Sequence, residues 1–399
     1  PPALATMKKT SAFDFVQLRS AVASGLVEIP QAVAHAMENP LDFPPIERAL
    51  VPGDRVAIAV HESLTQAGPL VESIIDWLLK QEVLVDVHLV VVLGHGQESL
   101  KSSIESWLAT NHPLGDQNQQ PVCRVVCHDP DDPQSLEYIA ASEQGEAIYL
   151  HRELVEADFV IPVYRWLEPD DPRGHDPFVV LPAFADRATI QRRAKAWIGN
   201  RSGRSSSKAS KGGVKDSGWL AGVQFVVGAL ANQEGQIACL FSGTPEGVDR
   251  ACQQSIGSSV RQDNCGDQVF DLVVVQLVDE SQIPSWSQVA SAAHGAERWL
   301  TPAGRIVVVA NKLQEVSSGV GALASDEPDE DLQQMLLDST LEDAFAAAVL
   351  RGIQSRRSVY VQSQVDSEVL ESLGFASIRN PNELERLMQS AVRVGVLEY

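Results

Sequence analysis

Phe159-Val160-Ile161-Pro162-Val163 runs through Tyr164-Arg165-Trp166-Leu167 into Glu168-Pro169-Asp170-Asp171-Pro172-Arg173-Gly174-His175-Asp176-Pro177-Phe178-Val179-Val180-Leu181-Pro182-Ala183-Phe184-Ala185-Asp186-Arg187-Ala188-Thr189-Ile190. The apolar run reads as a strand. The loop after it opens on Glu-Pro and closes on Leu-Pro, and a helix carrying Arg-x-Thr-Ile follows. Upstream, Arg55–Val60 is a short apolar strand after the turn Pro52-Gly53-Asp54. Pro69 opens a helix, with Leu70, Ile74, Trp77 and Leu78 at helical spacing. Val85–Leu93 is a near-continuous apolar strand, as expected where both faces are covered. Ser99–Leu108 reads as a helix and Val122–Cys127 as a further strand. This alternation predicts an α/β fold, a mainly parallel sheet with helices on both sides. Such sheets bind ligands beyond the carboxyl ends of their strands. Here those ends carry His61, Gly94-His95 and Tyr164 to His175.

Downstream, Val223–Val227 and Gln236–Phe241 read as a hairpin closed near Glu234-Gly235. Pro245 begins a helix to about Val260. A second βαβ series starts at Phe270–Val275, continues through a helix over Trp286–Leu300 ended by Thr301-Pro302-Ala303-Gly304, and through a strand over Arg305–Ala310. A helix over Leu341–Leu350 and a strand over Ser358–Val361 follow, and Asp326–Asp331 reads as a solvated acidic turn. No internal repeat is visible. The expected division is two α/β domains with a cleft between them, residues 1–266 and 267–385. The segment 386–399, with its strand Arg393–Leu397, is expected to return to the first domain. Residues 199–217 form a Gly/Ser/Lys-rich insertion with Arg201, Arg204, Lys208, Lys211 and Lys215. It reads as a flexible solvated loop, the sharper alternative being a lid that neutralises an anionic ligand.

Among 399 residues, 31 Lys+Arg face 53 Asp+Glu, a formal net charge of −22, which argues against nucleic acid or anionic lipid as partners. A hydrophobic fraction of 44% is ordinary for a chain with a packed core. Five cysteines, Cys123, Cys127, Cys239, Cys252 and Cys265, fit a reducing, cytoplasmic compartment better than a disulfide framework. Cys123 and Cys127 with His128 are conceivable metal ligands, but they sit in an apolar strand where cysteine packs as a small hydrophobe. No apolar run approaches the roughly 20 residues of a membrane span, and no signal peptide is read at the start.

The frame of the loop, Glu-Pro, Leu-Pro and Arg-x-Thr-Ile, resembles the cofactor loop of the nickel-pincer lactate racemases. The resemblance extends through Asn39-Pro40 with Pro44-Pro45, Pro52-Gly53-Asp54-Arg55-Val56, Val92-Leu93-Gly94, His128-Asp129 and Gly145–Leu150. It continues in Val155–Ile161, Leu220–Phe225, Phe270–Val274, Leu300–Gly304 and Leu373-Gly374-Phe375. The order of these features along the chain is more specific than any one of them. The resemblance implies two α/β domains and an ancestral racemisation or epimerisation of 2-hydroxyacids. In the family a hydride moves to a nickel-bearing pyridinium pincer while a base takes the hydroxyl proton. That chemistry needs a tethering lysine, a nickel histidine, two histidine bases and cationic groups for the carboxylate.

This sequence departs from that set position by position. Phe178 stands where the lysine is expected and Ala194 where the nickel histidine is expected. Asp170 takes the place of one histidine base. The loop is about two residues shorter than the family's and lacks its run of glycines, which lets backbone approach a ligand. His61-Glu62-Ser63-Leu64-Thr65-Gln66 replaces Ser-Asp-x-Thr-Arg-Pro, so Glu62 keeps the acid and Thr65 replaces the arginine. Gly94-His95-Gly96-Gln97 replaces Gly-Thr-His-Arg, with a histidine one place early. The substrate pair Gln-x-x-Lys aligns near Gln288, with Ser291 or Ala290 in place of lysine.

On this reading no cofactor and no metal ligand are expected. The candidate catalytic residues are His95 and His175, and the candidate substrate-binding residues are Glu62, Thr65, Arg165, Arg173 and Gln288. Arg165 and Arg173 suit a small carboxylate metabolite as bidentate donors. Three functions follow: a divergent family member without nickel-pincer racemase activity that binds a small metabolite, an isomerase that has repurposed His95, Glu62 and His175, or a non-catalytic subunit partnering a paralogue. Trp166, Phe178 or Phe184 filling the cleft would favour a non-catalytic protein.

Overall fold

A computed structural model of the chain describes residues 15–18, 28–64, 66–80, 87–112, 123–142, 145–167, 171–172, 180–201, 222–232, 236–260, 269–277 and 284–398. Thr65, Asp170, Arg173, His175, Phe178 and most of the 199–217 insertion lie outside the described residues. The described strands are β1 (Phe15–Leu18), β2 (Arg55–Val60), β3 (His88–Leu93), β4 (Cys123–Cys127), β5 (Leu136–Ala141), β6 (Ala147–His151), β7 (Phe159–Arg165), β8 (Val226–Ala231), β9 (Ile237–Gly243), β10 (Phe270–Gln276), β11 (Leu300–Val309), β12 (Val359–Gln362), β13 (Ala376–Ser377) and β14 (Val394–Glu398). The α-helices are α1 (Ile29–Glu38), α2 (Ala67–Lys80), α3 (Glu98–Asn111), α4 (Arg152–Val155), α5 (Arg187–Arg201), α6 (Pro245–Val260), α7 (Trp286–Glu297), α8 (Ser318–Gly321), α9 (Asp329–Asp338), α10 (Ala344–Gln354), α11 (Ser367–Ser372) and α12 (Pro381–Gln389).

Two six-stranded sheets organise two α/β domains. The first runs β4-β3-β2-β7-β8-β9, parallel except for the β8–β9 hairpin. The second runs β1-β14-β10-β11-β12-β13 and its described pairings are all parallel. Side chains alternate across each sheet. In β2, Val56, Ile58 and Val60 enter one core with α1 and α2, while Ala57 and Ala59 enter another with Leu150 and Phe184. In β10, Val273 and Val275 pack on α7 and α10, while Leu272 and Val274 pack on α12. Burial on both faces explains why these strands read as unbroken apolar runs.

Three expectations change. The last strand does not return to the first sheet: β14 lies between β10 and β1 in the second, and it is the N-terminal strand β1 that joins the far domain's sheet. The acidic stretch is not all turn, because Asp329, Glu330 and Asp331 form the first turn of α9, where carboxylates meet the positive end of the helix dipole. The strand expected from Arg305 begins at Leu300, where Phe270 pairs with it across a register shift.

The core also absorbs two of the three aromatic residues considered as cleft fillers, the third, Phe178, lying outside the described residues. Phe184 is fully buried, and Trp166 is buried with its Nε1 donating to Asp249 Oδ1 at 2.8 Å. Both belong to the core between the first sheet and α6, together with Tyr164.

Candidate functional site

The first sheet reverses its strand order at β2: β3 and β4 lie to one side of it, β7 and β8 to the other. The switch point between β2 and β7 is where such sheets hold ligands. His61 and Glu62 leave β2 there, and Arg165 and Trp166 end β7. His61 N donates to Val163 O (2.9 Å), and Gly94 N donates to Val60 O (3.1 Å), so the ends of β2, β3 and β7 are tied together. His61 is buried, and its Nδ1 accepts from Ser63 N at 3.0 Å, which makes it a brace for the turn.

Gly94 lets this turn close on Glu62. A Cβ on Gly94 would stand 3.2 Å from Glu62 Cβ and 3.3 Å from Glu62 N. His95 follows, exposed, on a turn whose Gly96 has φ +77. Its Nδ1 lies 3.4 Å from His128 O, a geometry that places the proton on Nδ1 and leaves Nε2 as the basic nitrogen. Arg165 is half-buried at the end of β7.

The opposite wall comes from the second domain. Asp343 stands at the N-terminal end of α10 in the left-handed region at φ 56, its side chain turned from the helix amides, and its Oδ1 accepts from Ser287 Oγ at 2.8 Å. Ser291, buried on α7, donates to Asp171 Oδ1 of the first-domain loop at 3.0 Å. Gln288 faces a different duty: Ser285 N donates to its Oε1 at 2.9 Å in a capping box that starts α7. Sequence reasoning reached Gln288 through the resemblance and missed both this cap and Asp343, which immediately precedes the apolar face of α10.

Glu62 remains open to solvent, yet protein surrounds it closely enough that lost hydration raises its carboxyl above the ordinary value. Asp343 across the cleft raises it further, and His95 opposes both. A carboxyl raised in the folded state binds its proton before the unfolded chain does. Its penalty is therefore complete above the raised value and gone below the ordinary one. Glu62→Gln should increase the thermal unfolding temperature at neutral pH, with the gain fading towards pH 4. Thermal melts of both proteins across that range check the sign.

Helix α5 bridges the domains. Its first half is held by the first: Arg187 pairs with Asp131 (2.7 and 3.2 Å) and Arg192 donates to Ala147 O (2.7 Å). Its second half packs Ala194, Trp197 and Ile198 on the second domain's core. The Trp197 ring lies edge-on to His294 (5.2 Å) and to Phe345 (5.8 Å).

The family model for the lactate racemase N-terminal domain matches residues 8–203. The chain belongs to the lactate-racemase-like family. Its fold is similar to that of the lactate racemase apoprotein from Thermoanaerobacterium thermosaccharolyticum, with a TM-score of 0.69 at 15% identity over 94% of this chain and 92% of that one. It is also similar to a structural-genomics protein from Thermotoga maritima, with a TM-score of 0.60 at 12% identity over 92% of this chain and 94% of that one. A comparison with curated proteins gives no match.

The described residues of this lactate-racemase-like chain do not fit the nickel-pincer group. Ala194, which the resemblance places at the nickel histidine, offers only a methyl group, packed on the second-domain core. Where the resemblance places the lysine of the substrate pair, at Ser291 or Ala290, Ser291 is engaged by Asp171 and Ala290 is buried in the second-domain core. Among the described residues no three His, Cys, Asp or Glu side chains come together to hold a metal ion. Burial pushes the Cys123 thiol up to about 12 and that of Cys127 to about 11, so both stay protonated at neutral pH. No described helix is long and apolar enough to cross a membrane.

Proposed function

We propose that this lactate-racemase-like chain has left the nickel-pincer reaction and keeps the interdomain cleft as a binding site for a small metabolite. The observation that carries the reading is the use of Ala194 and Ser291. Positions that the resemblance assigns to metal and substrate are occupied here by contacts between domains. Trp166 and Phe184 support retained binding, because both pack in the core and leave the cleft unfilled by their rings. The described walls carry Glu62, Asp171 and Asp343 against Arg165 and His95, so a monocarboxylate is held weakly and Glu62 works against it. The described cysteines are free thiols, which supports a reducing, cytoplasmic setting.

The test is a racemisation assay on protein co-expressed with the pincer biosynthesis machinery, with either enantiomer of lactate as substrate. No interconversion above buffer is expected, and turnover comparable to a lactate racemase would overturn the proposal. A second reading, an isomerase with repurposed residues, is favoured by one observation: His95 offers a basic Nε2 beside Glu62 at the switch point. It requires that His95→Gln abolish any activity found on another 2-hydroxyacid.

A further inference from the structure

We propose that helix α5 is a strap that holds the cleft closed and fixes the two domains as one body, whether or not the cleft binds the ligand argued above. The helix has no single apolar face because its two halves serve different cores. Ile190 packs on the first-domain core, and Ala194, Trp197 and Ile198 pack on the second. Polar contacts also reach both domains, from different sides of the helix. Arg187 and Arg192 are spent on the first domain, while Lys195 pairs with Asp338 and Gln191 Nε2 donates to Asp338 O (3.1 Å) and Ser339 O (3.3 Å) of the second. An interface of that kind opposes the relative motion expected of two domains joined only by linkers.

The strap works against a force on the page. Asp343 of the second domain is near enough to Glu62 of the first to raise its carboxyl, so the two carboxylates repel when both are charged. Their repulsion favours opening. Trp197, wedged edge-on between His294 and Phe345, is the anchor, since a large aromatic ring contributes far more than an exposed ion pair. The Ser291–Asp171 hydrogen bond closes the same gap at the loop.

The experiment compares wild type, Trp197→Ala and Gln191→Ala/Lys195→Ala by small-angle scattering and by denaturant unfolding of the full chain. Wild type should give one compact particle and a single transition. Trp197→Ala should give a larger radius of gyration and two separable transitions, and adding Glu62→Gln should restore part of the compaction. The rim variant Gln191→Ala/Lys195→Ala, which leaves the core intact, should shift in the same direction by less, and it decides the matter if Trp197→Ala does not fold. Unchanged scattering and a single transition in the folded variants would overturn the strap.

Discussion

Gly319→Ala should cost the second domain about 3 kcal/mol and loosen the cleft wall that carries Asp343. A Cβ at Gly319 would stand 2.4 Å from Glu342 O, 2.6 Å from Ala344 N and 2.7 Å from Ala344 Cα. All three are backbone atoms, so no flexible side chain can yield. Gly319 N also donates to Glu342 O at 2.9 Å, which pins the turn whose next residue is Asp343 at φ 56. Aspartate tolerates that left-handed region better than most residues, and the side-chain bond from Ser287 fixes where its carboxylate points. The added methyl must push this turn away from α8. Denaturant midpoints measure the loss, and the NMR titration of Glu62 should move back towards the ordinary carboxylate range as Asp343 withdraws. A stability within about 0.5 kcal/mol of wild type would show that the turn is not held as described.

Acid should destabilise the first domain steeply through His128 and His151. Burial drives both imidazoles down to about 4 from the ordinary 6.5, and the His151 ring, 5.6 Å away, further disfavours charge on His128. The unfolded chain takes up these protons first as pH falls. Stability is therefore complete above about 6.5 and is lost progressively down to about 4, where the folded rings finally protonate. Each ring accounts for about 3 kcal/mol at the acid end of that window. His128 Nε2 donates to Ala185 O (3.0 Å), and His151 Nδ1 accepts from Glu153 N (3.3 Å) as the cap of α4. Glutamine at 128 and asparagine at 151 can replace those two bonds without a titrating ring. The double variant His128→Gln/His151→Asn should show a flattened stability profile between pH 6.5 and 4, with little change at pH 7.5. A slope equal to that of wild type would contradict the assignment.

The parallel sheets were legible because burial on both faces writes itself as apolar runs, as in Arg55–Val60 and Phe270–Gln276. Helices with one buried face were equally plain, Leu70, Ile74 and Leu78 of α2 among them. What escaped depends on partners distant in sequence. The hairpin β5–β6 has half-exposed strands and no apolar alternation to announce it. The seat of β14 beside β1 and β10 is decided by pairing across the whole chain. At the site, the ends of β2 and β3 were foreseen from strand topology, so His61, Glu62 and His95 fall where expected. The Ser287–Asp343 bond was not, because it joins two helices of the second domain 56 residues apart, nor was the Ser291–Asp171 bond, which forms only where the second domain meets the first. Trp197 reads in sequence as one more helical aromatic, and only the fold shows it anchored in the other domain. His175, Arg173, Thr65 and Phe178 lie outside the described residues, and their roles rest on the sequence.

Ala194 and Ser291, which the resemblance places at a metal and a substrate position, contribute to contacts between the domains, and we propose that the chain holds no organonickel group. Intact-mass spectrometry with nickel quantification, on chain co-expressed with the pincer biosynthesis enzymes, addresses it most directly. The account predicts the unmodified polypeptide mass and far less than one nickel per chain. A mass increased by the pincer nucleotide, with nickel retained at one per chain, would contradict it.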